Sequence, residues 1–193
     1  MYLMCAEYLR CRMRRLRLNL LGDNSGLAAV EFAMILPLML VMFFGTIEVT
    51  SGVAVNRKVT IVTRTLSDLT SQASSVTDAQ LANFFAASAA IITPYSATPV
   101  RATVSQVKVD GITLKATIVW SKGAKPHGVG DTVTVPDGLK PVAPAADIYL
   151  IWSEVSYLFK PLSHYTVTDV NLSDQTYTRP RQSACVMYNN TAC

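Results

Sequence analysis

The sequence predicts an α+β fold in which a long N-terminal membrane-crossing helix runs on into a domain with a second helix and an antiparallel sheet. Three observations carry this. A 21-residue apolar run, Leu27 to Ile47, follows a basic leader; apolar residues then recur at helical spacing to Ala73; and from Val100 onward the period changes to two. At 193 residues the chain holds one modest domain plus an anchor, organised as a leader at 1–26, a transmembrane helix at 27–47 and an extracytoplasmic domain at 48–193.

The run LAAVEFAMILPLMLVMFFGTI contains Glu31 as its single ionisable residue. A helix of that length rises roughly 31 Å, which matches a hydrocarbon core of about 30 Å. A secretory signal peptide is the rival, but its apolar stretch is usually about 7 to 15 residues long and ends in a small-x-small site that is absent here. Five arginines (Arg10, Arg12, Arg14, Arg15, Arg17) against Glu7 and Asp23 put most of the net charge of +4 in the leader. That distribution orients the helix with its N-terminus in the cytoplasm and argues against a nucleic-acid partner.

A carboxylate inside an apolar helix costs on the order of 2.5 kcal/mol at the bilayer centre, so Glu31 calls for a reason. One reading lets it reach the interface from near the helix end. The other uses Gly26: a cut after that residue would create an α-amino group on Leu27 at i and i+4 from Glu31, on the same helix face.

The stripe Val55, Val59, Val62, Leu66, Leu69, Ala73 continues the helix past the membrane, giving one helix of roughly 70 Å from Leu27 to about Ala73. Thr77 and Gln80 form a capping box with Val76 and Leu81 as its hydrophobic staple, and Leu81, Phe84, Phe85, Ile91 and Ile92 supply the apolar face before Pro94. Val104 to Val109 and Ile112 to Ser121 read as strands joined by a tight Asp110-Gly111 hairpin. A polar Gly-rich loop spans Ser121 to Gly130. Thr132 to Val135, Ile148 to Phe159, Val170 to Tyr177 and Cys185 to Tyr188 complete the antiparallel set.

The residues from 26 onward resemble a known family. A basic leader, Gly26, then Leu-Ala-Ala-Val-Glu-Phe is similar to the prepilin-type leader. Gly-Leu-Ala-Ala-Val-Glu-Phe-Ala-Met-Ile-Leu-Pro-Leu with Pro37, Phe44, Gly45 and Glu48 resembles, more narrowly, the TadE family of pseudopilins from the tight-adherence (Flp) pilus machinery. Ile151 to Pro161 carries a fainter likeness through Glu154, Val155, Tyr157, Phe159 and Pro161. The resemblance implies cleavage between Gly26 and Leu27 by a prepilin peptidase, and a role in assembly for Glu31 and Phe32. It implies a non-enzymatic minor pilin that works with other pilin-like subunits and an inner-membrane platform. It further implies a single pass through the bacterial inner membrane, with the C-terminal domain periplasmic or pilus-associated. The alternative is an unprocessed, membrane-anchored periplasmic binding or sensor module.

Cys5 and Cys11 face the reducing cytoplasm in this topology, whereas Cys185 and Cys193 lie where a disulfide persists. Pilin-like proteins, which the chain resembles, often close a C-terminal loop this way and expose it to partners, so the resemblance implies Met187 to Ala192 as a candidate contact surface. No zinc spacing, nucleophile motif, phosphate loop or calcium loop occurs, and no cofactor is expected. His127 and His164 read as surface residues, Lys122 to Gly128 as a solvated loop, and Asn171 and Asn189 head formal glycosylation sequons. Glu154 reads as a partly buried acid whose partner is Arg179 or Arg181.

Overall fold

The computed structural model describes residues 25–142, 144–161, 169–189, 191 and 193. The leader, Cys5, Cys11 and His164 lie outside these residues, as does Ala192. The chain divides into an N-terminal unit that ends at Ile47 and a second spanning Glu48–Cys193.

Helix α1, Ser25–Ser71, is continuous through Pro37. The absent proline N–H removes one ladder bond, yet the surrounding leucines and methionines are strong helix formers. Within the first unit the apolar residues Leu27 to Ile47 are exposed on every side of the helix. Beyond Ile47 the pattern changes to one-sided: Val55, Val59, Val62 and Leu66 are fully buried, while Val53, Arg57, Ile61 and Arg64 are exposed. The 4-3-4 spacing thus marks the face that packs on the sheet.

After α1 come a two-residue strand β1 (Ser75–Val76) and helix α2 (Asp78–Ala90). Thr77 caps α2 with the reciprocal bonds of a capping box to Gln80. Val76 and Leu81, the staple pair, are both buried. Past the last turn, the Lys58 ammonium donates to the carbonyls of Ile91 (2.9 Å) and Thr93 (2.6 Å), placing a cation where helix carbonyls lack partners.

Strands β2 (Val100–Val109), β3 (Ala116–Gly123), β4 (Thr132–Val133), β5 (Ile148–Phe159) and β6 (Val170–Thr178) form an antiparallel sheet in the order β4-β3-β2-β5-β6. One face meets α1 and α2 through Val104, Trp120, Ile151, Val155 and Tyr157. The other carries a smaller cluster of Val107, Val109, Ile118, Leu150 and Trp152, roofed by Val135 and Leu139.

Two expected elements differ. The Asp110-Gly111 hairpin is a wider loop with β3 starting at Ala116, and Ile112 is 76 % exposed instead of facing a core. Asp110 Oδ1 accepts the N–H groups of Ile112 (2.9 Å) and Thr113 (2.6 Å), an arrangement that competes with ladder pairing. The C-terminal strand β7 (Met187–Tyr188) does not join the antiparallel sheet; it pairs in parallel with β1. The segment that leaves α1 supplies acceptors to it, with Met187 N–H on the Ser74 carbonyl and the next residue's N–H, that of Asn189, on the Val76 carbonyl.

Candidate functional site

Gly26 and Leu27 stand in the first turn of α1, with open space around Gly26. Glu31 and Phe32 follow on the same helix, both exposed, and Glu31 forms no ion pair with another described residue. The exposed run contains Leu27, Val30, Phe32, Met34, Ile35 and further large apolar side chains up to Ile47. Such a contiguous apolar surface is stable only against lipid or other apolar helices.

On the second unit, the sheet face turned away from α1 carries chemistry that the sequence kept apart. Cross-strand pairing lines up Arg101, Ser156 and Ser173 in one row, Thr103, Glu154 and Gln175 in the next, and Ser105, Trp152 and Tyr177 in a third. The loop after β3 folds over this face. Gly123, at φ +140°, makes the bend, and a Cβ there would lie 2.3 Å from the Ala102 carbonyl oxygen. Ala124 N–H donates to the Ala102 carbonyl (2.8 Å), Lys125 N–H to Thr103 Oγ1 (3.1 Å), and His127 N–H to Ser121 Oγ (2.9 Å). The loop is therefore pinned at three successive points.

These bonds place the His127 ring flat on Trp152, with centroids 4.7 Å apart, and Trp152 in turn stacks on Tyr177 at 5.7 Å. His127 Nε2 donates to Glu154 Oε2 at 2.5 Å, and the Trp152 indole N–H donates to Gln175 Oε1 at 3.2 Å. Burial, with the nearby Glu154 carboxylate, holds the Tyr177 phenol above its ordinary range. A cleft of about 570 Å³ results, lined by Arg101, Thr103, Lys125, His127, Glu154 and Gln175 among others. His127, read from sequence as a solvated loop residue, is thus half-buried and paired. The Glu154 partner is His127 and neither Arg179 nor Arg181, because Arg181 pairs with Asp68 at 2.5 Å.

The C-terminus is held by a third set of contacts. Cys185 and Cys193 are joined by a disulfide with Cα atoms 6.5 Å apart. Val186, fully buried, donates its N–H to Gln106 Oε1 (2.7 Å) and accepts the Trp120 indole N–H on its carbonyl (2.9 Å). Tyr188 donates its hydroxyl to Asp78 (2.6 Å) and lies under the Lys122 ammonium. The hydroxyl, then Lys122, keeps the Asp78 carboxyl below the usual range. Met187 to Tyr188 of the expected contact surface is accordingly half-buried against the domain.

The described residues define an α+β protein whose N-terminal helix is long and apolar enough to cross a membrane, carrying a five-stranded sheet with a polar cleft on its outer face. The model of the family described as TadE-like protein matches residues 26–66, a stretch lying wholly within α1. The chain thus carries a TadE-like N-terminal segment, the family its sequence resembles. No curated protein and no solved structure matches it.

Proposed function

We propose that this protein is a TadE-like minor pilin, or pseudopilin, that takes part without enzymatic activity in assembling a tight-adherence (Flp) pilus in the bacterial envelope. The observation that carries the reading is the TadE-like match over residues 26–66, which spans the exposed apolar part of α1 and the start of its packed part. In this reading residues 1–26 are a cytoplasmic leader and 27–47 cross the inner membrane once. Residues 48–193 form a periplasmic domain that stays with the assembly. A prepilin peptidase cuts between Gly26 and Leu27, and the new ammonium on Leu27 answers the charge of Glu31 within one subunit or between neighbours. Phe32 and the apolar side chains around it then pack against the helices of other pilin-like subunits at the assembly platform.

The polar cleft keeps a second reading in view, in which the protein is an unprocessed membrane-anchored binding module. Mass spectrometry of the membrane fraction separates the two: loss of residues 1–26 in the presence of the peptidase supports the pilin reading, and a retained leader refutes it. Glu31→Ala tests the assembly role. The variant should insert into the membrane, because the apolar run alone suffices for that, while pilus formation falls; normal piliation would overturn the role of Glu31.

A further inference from the structure

The cleft on the outer sheet face has the composition of a recognition site. Its floor is two neighbouring rows, Arg101–Ser156–Ser173 and Thr103–Glu154–Gln175, and its wall is the pinned loop bearing Lys125 and His127. Thr103 Oγ1 is spent on the Lys125 backbone, but other polar groups on the floor keep hydrogen-bonding capacity. Gln175 spends its carbonyl oxygen on Trp152, which leaves its amide NH2 as a pair of donors. Glu154 uses Oε2 for His127 and keeps Oε1 as an acceptor. Arg101 and Lys125 are exposed cations that form no ion pair with another described residue.

Two ligand classes fit this pattern poorly. A peptide recognised by strand addition would pair along the open edge of β6 and not across the cleft, because β2 and β5, which form most of the floor, are paired on both sides. Single-stranded nucleic acid needs aromatic faces for stacking, and both faces of Trp152 are covered by His127 and Tyr177. Closely spaced donors and acceptors, the unpaired cations Arg101 and Lys125 set beside the carboxylates of Glu154 and Asp174, and a volume usual for a small-molecule site suit a ligand dense in hydroxyls whose carboxylate is met by the two cations.

We propose that the cleft binds an acidic saccharide. Arg101 and Lys125 hold a uronate carboxylate, and Ser156, Ser173, Gln175 and Glu154 exchange hydrogen bonds with ring hydroxyls. This binding does not depend on leader cleavage or on pilus assembly, so it stands or falls separately from the proposed function.

The test titrates the full-length protein in detergent micelles with oligogalacturonate and follows tryptophan fluorescence, with Trp152→Phe identifying the reporter. Saturable quenching is expected, lost in Trp152→Phe, and weakened about tenfold or more by Arg101→Gln combined with Lys125→Gln. A neutral malto-oligosaccharide should bind about tenfold more weakly, as should monomeric galacturonate if the ligand is a polymer rather than a free sugar acid. Unchanged thermal unfolding of the exposed-site variants guards against misfolding. Absence of quenching in the wild type, undiminished affinity in the double variant, or equal binding of polyglutamate would each overturn the proposal, the last by showing attraction to negative charge alone.

Discussion

Gln106 offers the sharpest test of how the domain is closed. It lies fully buried on β2, takes the Val186 N–H at 2.7 Å on its Oε1, and approaches Cys193 Sγ with its Nε2 at 3.4 Å. Gln106→Met keeps the length of the side chain and removes both polar ends. The Val186 N–H, on a residue with no exposed surface, is then left without an acceptor. An unmade bond of that kind costs about 1 to 3 kcal/mol, and the gain from a more apolar side chain offsets only part of it. A net loss of about 2 kcal/mol corresponds to a fall in Tm of roughly 4 to 8 °C for a unit of this size. Thermal unfolding of the full chain in micelles, read through Trp120 beside Val186, measures it. Gln182→Met, at an exposed residue with no hydrogen bond to another described residue, serves as control and should stay within about 0.5 kcal/mol of wild type. A Gln106→Met variant equally close to wild type would refute the idea that this amide anchors the C-terminal segment.

Cys193→Ser should destabilise the domain by about 2 to 3 kcal/mol in denaturant titration, from the chain entropy of a loop that closes across 8 residues. Combined with Gln106→Met it should have less than the summed effect, since both release the same segment. A further expectation concerns pH. The Lys108 ammonium, then the Gly111 N–H, holds the Asp147 carboxyl below its ordinary range, so this contribution is present above the usual carboxylate pKa and lost as pH falls through the lowered folded value. Urea midpoints should therefore favour wild type over Asp147→Asn at about pH 7 and converge towards about pH 2.

Much of the architecture is legible in the sequence because its signals are local. The stripe from Val55 to Leu66 buries as its spacing requires, the Thr77–Gln80 box forms, and Ile148–Phe159 is one uninterrupted strand. The misreadings have separate causes. At Asp110 a side chain supplies the acceptor that pattern reasoning assigned to the strand ladder. At Met187 two residues of β propensity pair with Ser75–Val76, more than 100 positions earlier, for which no local signal exists. The cleft is harder still. His127 and Glu154 are 27 residues apart and meet only because Gly123 bends the loop across β2 and onto the face of β5. The one visible hint was Gly123 itself, at the end of an alternating strand.

The parallel pairing of β1 with β7 gives the order of synthesis a meaning. The Trp120 indole N–H and the Gln106 side chain both find their partner in Val186, and the carbonyl of Ser71, at the end of α1, finds the N–H of Arg181. A chain lacking the residues from 182 onward presents a nearly complete sheet with buried donors and acceptors unanswered. The segment around Val186 is thus the latch for the first helix of the domain, and a product cut short before it is marked as unfinished by its own interior.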